Sequence, residues 1–342
     1  MSGGGNRCGL LPISLLQALA TIILAVAAAA RPAPIAGTSS STSPVAAANG
    51  TCQSRVAPFG YACEEHTVTT EDGYILSLQR IPSGRSETAA AGGGGGGKVP
   101  VLLQHGLMMD GVTWLMNSPN ESLGYILADN GYDVWIANSR GTVYSQHHTS
   151  LASSDSGTLI ALAALSDQQQ QVGMLRSAGL LSPIAFLDKM SSPLARAAAD
   201  VFLAEALYWL GLSEFDPTGE YVHSLVTDIC KQPGIDCYNL MSAFTGDNCC
   251  LDNSSVQVFL AHEPQATATK NMIHLAQSED SLSDVQDVSR LLRALGQSHS
   301  RDGDKLTVQY LADYAHADFV MARNAGDRVY APLMAFFKLQ EK

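Results

Sequence analysis

The sequence predicts an α/β fold, in which helices flank a mostly parallel β-sheet, and three observations support this prediction. A short, continuous apolar run at residues 99–104 is typical of a strand buried on both faces of a parallel sheet. Residues 122–130 can form a helix that Gly131 ends, and residues 132–137 form a second β-prone run. Strand, helix and strand in this order are the repeating unit of such sheets.

Other segments extend this pattern towards both ends of the chain. Two β-prone runs between His66 and Pro82 are separated by an Asp-Gly pair, which predicts a hairpin. Residues 179–185 have the composition of a further strand end, and residues 306–311 alternate apolar and polar side chains as a strand does. Residues 330–339 predict a C-terminal helix.

The N-terminal region indicates export from the cytosol. Residues 10–30 are almost wholly apolar and end in a run of small residues, which is typical of a secretory signal peptide. A transmembrane anchor is the alternative, because about 20 apolar residues can span a bilayer. We divide the chain into a signal peptide (1–30), a disordered leader rich in Pro, Ala, Ser and Thr (31–50), a first part of the sheet core (52–186), a helical cap (187–275) and a second part of the core (276–342).

The number of cysteines is also typical of a protein exported from the cytosol. Six cysteines follow the predicted signal peptide, and an even number in an oxidising compartment predicts disulfides, although their pairing stays open. They are Cys52, Cys63, Cys230, Cys237, Cys249 and Cys250. No pair has the C-x2-C spacing of a zinc site, so we expect no metal and no other cofactor. Glycosylation sequons begin at Asn49, Asn120 and Asn253.

The charge balance excludes one class of partner. The formal net charge is −12, and no local cluster of Lys and Arg offsets it. Since a nucleic-acid partner would present negatively charged phosphates, we expect no nucleic-acid binding.

The order of three features along the chain points to an α/β-hydrolase. A His-Gly turn at His105 follows an early predicted strand, acidic residues lie before the last predicted strand, and His316 follows that strand. Several motifs then resemble the acid lipases of the gastric and lysosomal type, in the same order from Cys52 to the C-terminus. They are Cys63-Glu64-Glu65-His66, Thr70-Glu71-Asp72-Gly73-Tyr74, Leu103-Gln104-His105-Gly106-Leu107, Ala137-Asn138-Ser139-Arg140-Gly141 and Tyr314-Ala315-His316-Ala317-Asp318-Phe319.

This resemblance implies a secreted, lysosomal or vacuolar lipase that hydrolyses acylglycerols or sterol esters through a Ser-His-Asp triad. A helical cap would cover the site and contact the lipid interface. By position, His316 is the general base, Asp280 is its orienting acid and the Leu107 backbone N–H is an oxyanion donor. Asp284 and Asp287 lie close to Asp280 and are alternatives for the acid. His105 is interpreted as a turn residue rather than as a base.

The motif that should present the nucleophile is missing. No G-x-S-x-G pentapeptide occurs in the 342 residues, although residues 157–161 resemble the helix that follows this motif in the family. Ser156 is the serine nearest to the expected position. Asp155 could instead act as an aspartate nucleophile, as in epoxide hydrolases and dehalogenases. That reading requires a buried strand before it, and residues 144–152 do not form one.

We therefore interpret the chain as a family member with internal deletions. One join lies near residues 151–157 and a second lies between Gln277 and Asp280, and each deletion would remove a sheet strand. A strand contributes hydrogen bonds worth roughly 1 kcal/mol each and buried side chains worth roughly 1.5–3 kcal/mol each. We expect poor folding and feeble or no ester hydrolysis. The alternative is a non-catalytic, lipid-binding or regulatory form of the lipase.

Overall fold

The computed structural model describes residues 50–86, 97–150, 175–183, 214–215, 245, 248–268, 288–293 and 306–340. The predicted signal peptide and leader, and most of the predicted cap, lie outside these ranges. No helix within the described ranges is long and apolar enough to cross a membrane.

The described part of the chain contains a mixed sheet of five strands. Its strands run in the order β1-β2-β4-β3, and β5 also pairs with β2. The strands are β1 (Glu64–Thr69), β2 (Tyr74–Ile81), β3 (Pro100–Gln104), β4 (Asp133–Ala137) and β5 (His147–His148).

The predicted hairpin is confirmed. Strands β1 and β2 pair antiparallel, from Glu64 opposite Arg80 to Thr69 opposite Ile75. The connecting turn closes with a 2.9 Å hydrogen bond from the Gly73 N–H to the Thr70 carbonyl. Gly73 has a φ of +93°, a conformation that glycine adopts without steric cost.

The strand–helix–strand unit is confirmed as well. Strands β3 and β4 pair in parallel, and helix α1 (Leu123–Asp129) connects them. Gly131, with a φ of +88°, follows the helix as the sequence predicts. Buried side chains of α1 pack with those of β4 in the main apolar core, which includes Leu123, Tyr125, Leu127, Val134 and Ile136.

The prediction that β3 is buried on both faces is wrong. Leu103 is 7% exposed, whereas its neighbour Leu102 is 64% exposed. Within the described residues β3 is the last strand of the sheet, and its side chains alternate between a covered face and an open one. An apolar run alone cannot distinguish this arrangement from burial on both faces.

A further predicted strand at residues 306–311 does not form, and the strand end predicted at 179–185 is irregular in its described part, whereas residues 184–185 lie outside the described ranges. Residues 306–311 have no regular secondary structure, and Leu306, Val308 and Tyr310 are exposed. Residues 175–183 are likewise irregular. Alternation of apolar side chains defines two faces, but a strand also needs a neighbour that accepts and donates its backbone hydrogen bonds. Neither segment pairs with any strand among the described residues.

The remaining described elements are helices and a short strand pair, and the predicted C-terminal helix is confirmed. They are two π-helices (Cys52–Val56 and Gly326–Tyr330), two 3-10 helices (Ala57–Phe59 and Gly111–Leu115), the strand pair β6 (Glu214–Phe215) and β7 (Thr267–Ala268), and the helices α2 (Asn253–His262), α3 (Asp318–Met321) and α4 (Ala331–Gln340). Disulfides join Cys52 to Cys63 and Cys249 to Cys250, which confirms the expected oxidation of these cysteines.

Adjacent leucines of β3 provide a matched test of this packing. Leu103→Ala should lower the free energy of unfolding by about 2–5 kcal/mol, because it removes buried methyl groups and leaves a cavity. Leu102→Ala removes the same atoms from an exposed position and should change it by less than about 0.5 kcal/mol. Urea unfolding of both variants checks this, and equal losses would contradict the assignment of the covered face.

Candidate functional site

His105 fixes the turn that follows β3. Its Nδ1 donates to the Gly106 carbonyl at 2.8 Å, and its Nε2 accepts from the Ser139 N–H at 2.9 Å. Burial lowers the pKa of His105 to about 4, which keeps the ring neutral near pH 7. Both ring nitrogens are used, so His105 joins the turn after β3 to the turn after β4 and is not available as a base. This agrees with its interpretation as a turn residue.

The predicted oxyanion donor, Leu107, lies in the same turn. Met108 follows it with a φ of +58°, and the Met108 carbonyl accepts from the Gln265 N–H at 2.8 Å. The Asp110 carboxylate then accepts from the Val112 N–H at 2.7 Å and caps the 3-10 helix. The turn is therefore attached at both ends to neighbouring backbone.

A network of polar side chains connects this turn to the sheet. The Asn138 side chain accepts from the Gly111 N–H at 2.8 Å and donates to Gln79 Oε1 at 2.7 Å. Gln79 donates to Glu65 Oε2 at 2.6 Å, and Glu65 Oε1 accepts from the Cys52 N–H at 2.8 Å. The network connects the turn, the sheet and the first disulfide. Glu65 and Asn138 lie in two of the motifs singled out in the sequence, which gave no indication of this contact.

The loop that carries His316 is held by a buried carboxylate. Asp318 is fully buried and accepts hydrogen bonds from the backbone N–H groups of Ala315 at 2.8 Å, Cys249 at 3.0 Å and Cys250 at 3.2 Å. The His316 N–H donates to the Thr245 carbonyl at 3.0 Å. These bonds fix the backbone of His316 against the segment around the second disulfide.

A serine that the sequence did not single out lies next to His316. The Ser182 hydroxyl is 2.8 Å from His316 Nδ1. Burial lowers the pKa of His316, so its neutral form, which can accept a proton, predominates near pH 7. Ser182 itself is half-buried and has a φ of +45°. No signal in the sequence brings these two residues together across 134 positions.

The loops of Leu107 and His316 pack against one apolar cluster. Val112, just beyond the Leu107 turn, and Ala317, next to His316, are both buried in it. Its other buried members are Met116, Val256 and Met321. The Asn117 side-chain amide also donates to the Met321 carbonyl at 3.2 Å. The structure thus attaches both predicted site loops to the same part of the core.

Other predicted site residues lie outside the described ranges. Asp280, Ser156 and the alternatives Asp155, Asp284 and Asp287 all belong to this group, so their roles remain predictions. Within the described ranges, no group of three His, Cys, Asp or Glu side chains is placed to hold a metal ion.

Two carboxyl groups lie buried together behind the Leu107 turn. Glu263 Oε1 accepts from the Asp110 N–H at 2.9 Å, and Asp110 Oδ2 accepts from the Gln265 side chain at 3.1 Å. Burial raises the pKa of Asp110 to about 7. Burial, together with the charge of Asp110, raises the pKa of Glu263 well above its usual value. The pair therefore favours at least one proton at neutral pH.

This pair predicts that stability falls as the pH rises from about 4 through about 7. The folded chain binds protons here that the unfolded chain releases near pH 4, so the stability present at acidic pH is lost as the pH rises through about 7. The slope is at most about 1.4 kcal/mol per pH unit for each proton. The buried His105 and His262 have pKa values lowered to about 4. Below pH 6.5 the unfolded chain binds protons at these histidines that the folded chain does not, so they make stability rise with pH, opposite to the effect of the carboxyl pair.

Between about pH 4 and 7, stability should fall less steeply with rising pH in Glu263→Gln than in the unmodified chain, because the variant lacks one carboxyl and keeps the oxygen that accepts from Asp110. Urea unfolding at several pH values measures the slope. Glu121→Gln, at an exposed site bonded to Ser118, is the control and should retain the slope of the unmodified chain. Equal slopes for the Glu263 variant and the unmodified chain would contradict the assignment.

The chain is similar in sequence to several known proteins. Residues 52–118 match the family model described as a partial alpha/beta-hydrolase lipase region. The chain is 39% identical to triacylglycerol lipase 2 of Arabidopsis thaliana, over 86% of this chain and 89% of the relative. It is 30% identical to triacylglycerol lipase 1 of the same plant, over 86% and 92%. It is 32% identical to human lysosomal acid lipase/cholesteryl ester hydrolase, over 64% of each chain.

The alignment with triacylglycerol lipase 2 is longer than this chain. It extends over 377 positions, whereas this chain has only 342 residues, of which 86% take part. The relative therefore contains segments that have no counterpart in this chain.

Proposed function

Since the chain belongs to the acid lipase family of α/β-hydrolases, we propose that it hydrolyses carboxylic esters of neutral lipids, acylglycerols or sterol esters, at a low rate. The names of the relatives, triacylglycerol lipases and a cholesteryl ester hydrolase, support this substrate class. The observation that carries the proposal is His316, held on a fixed loop with Nδ1 2.8 Å from a serine hydroxyl.

In the proposed reaction, His316 removes a proton from the attacking hydroxyl and later returns it to the leaving alcohol. The Leu107 N–H donates to the oxygen that becomes negatively charged. Because His316 Nδ1 faces the serine, Asp280 is the proposed acid that orients the histidine ring through Nε2, the reverse of the usual triad arrangement. Among these groups, His316 and Leu107 are on loops that pack against one apolar cluster, which supports a common site.

The low rate is part of the proposal because a catalytic element is missing. The chain contains no G-x-S-x-G sequence, and its relative has segments that this chain lacks. An elbow of this type holds the serine at the end of a buried strand and supplies a second oxyanion donor. Removing one such donor alone costs about 100- to 1,000-fold in turnover.

We assign the protein to the secretory pathway, with the extracellular space, lysosome or vacuole as its destination. The predicted signal peptide, the Cys52–Cys63 disulfide and the relative named lysosomal acid lipase/cholesteryl ester hydrolase support this assignment. The proposed cap, residues 187–275, would contact the lipid interface.

One observation favours a second candidate function. The absence of the G-x-S-x-G sequence from all 342 residues fits a form that binds neutral lipid without hydrolysing it. Binding of a fluorescent acylglycerol analogue with no release of fatty acid would identify this form.

Replacing His316 tests the hydrolase proposal. His316→Ala should reduce release of fatty acid from a long-chain ester by about 100-fold or more, because the general base is lost. The lowered pKa of His316 also predicts that activity of the unmodified chain persists below pH 6.5, since only the neutral ring accepts a proton. Measuring turnover from pH 4 to 8 checks both expectations.

The matched control is His66→Ala, at an exposed site on β1, which should retain activity. Release of fatty acid that is unchanged in the His316 variant would contradict the proposal, and so would an unmodified chain with no turnover.

A further inference from the structure

We propose that Ser182 is the nucleophile that works with His316 in this chain. The inference rests on the proposed hydrolase function and names the serine that it requires. Ser182 is not part of the G-x-S-x-G type of motif, since Leu181 and Pro183 flank it. Its assignment depends on its position in the folded chain.

The first argument is the contact with a fixed base. Ser182 Oγ lies 2.8 Å from His316 Nδ1, within the range of a nucleophile–base hydrogen bond. The base is held by its own backbone bond to Thr245 and by the three bonds that Asp318 accepts in this region. Ser182 is half-buried and is therefore not enclosed in the core.

The second argument is the backbone of Ser182. Its φ of +45° is uncommon for a residue with a side chain, and the following Pro183 further restricts the conformations available to it. Strained backbone of this kind concentrates at functional sites. Among the described residues, the only other non-glycine with positive φ is Met108, next to the proposed oxyanion donor Leu107. Both strained positions thus lie beside proposed catalytic groups.

The proposed reaction needs only the ester and water. Ser182 Oγ forms a bond to the carbonyl carbon while its proton passes to His316 Nδ1. The tetrahedral intermediate then breaks its bond to the alkoxy oxygen, which takes that proton and leaves as the alcohol, and an acyl-Ser182 ester remains. Water attacks this ester, again losing a proton to His316, and releases the carboxylic acid and the free serine.

Pro183 accounts for a slow reaction. In an elbow, the residue after the nucleophile donates its backbone N–H to the oxyanion. Proline has no N–H, so Ser182 lacks this donor. Loss of one donor lowers turnover about 100- to 1,000-fold, and Ser182 chemistry should be slower than that of a complete lipase by at least this factor.

A long-chain alkyl phosphonate with a p-nitrophenyl leaving group provides the test, because it phosphonylates an activated serine irreversibly. Labelled, full-length protein is digested with trypsin and the modified peptide is sequenced by mass spectrometry. Cleavage after Arg176 and Lys189 releases residues 177–189, which contain Ser177 and Ser182 and exclude Ser156. We expect the label on Ser182, and a label on Ser156 or Ser177 would overturn the inference.

Ser182→Gly is the decisive variant, since glycine tolerates the positive φ and lacks the hydroxymethyl group that carries Oγ. It should melt like the unmodified chain and lose both labelling and ester hydrolysis at least 100-fold, whereas Ser177→Ala should retain both. Hydrolysis retained in Ser182→Gly but lost in His316→Ala overturns this inference and leaves the hydrolase proposal intact. An unmodified chain with neither label nor hydrolysis overturns both. If Ser182→Gly does not fold, the site of the label on the unmodified chain still decides.

Discussion

The side-chain amide of Asn138 is the contact on which the described site depends most. It is 1% exposed, lies directly after β4, and bonds at once to the Gly111 N–H of the 3-10 helix and to Gln79 of β2. A buried amide that loses one of these partners leaves the other group unpaired, at a cost of about 1–3 kcal/mol. Asn138 therefore helps to fix the position of the turn carrying Leu107 relative to the sheet, together with His105.

The loops around the site are fixed in the same manner, by buried polar groups rather than by regular structure. His105 joins the turns after β3 and β4, and Asp318 joins the His316 loop to the segment at the second disulfide. Fully satisfied buried polar groups of this kind define one geometry, because every alternative leaves a donor or acceptor without a partner. The two halves of the site can thus keep their shape although the chain lacks the elbow of its family.

One face of β3 is open in the described part of the chain. Leu102, in a strand made almost entirely of apolar residues, is 64% exposed at the end of the described sheet. An uncovered apolar edge strand favours pairing with other chains, so this face favours aggregation.

The sequence by itself determined the elements that depend on local chemistry. The Asp72-Gly73 turn, helix α1 with the glycine that follows it, the parallel strands β3 and β4 and the C-terminal helix are each encoded by a few neighbouring residues. The motifs also identified the family. Only the tertiary structure decided the burial of β3, the absence of a strand at 306–311, the Asp110–Glu263 pair and the contact between Ser182 and His316. These depend on which segments pack together, and residues 134 to 153 positions apart carry no local pattern that predicts their contact.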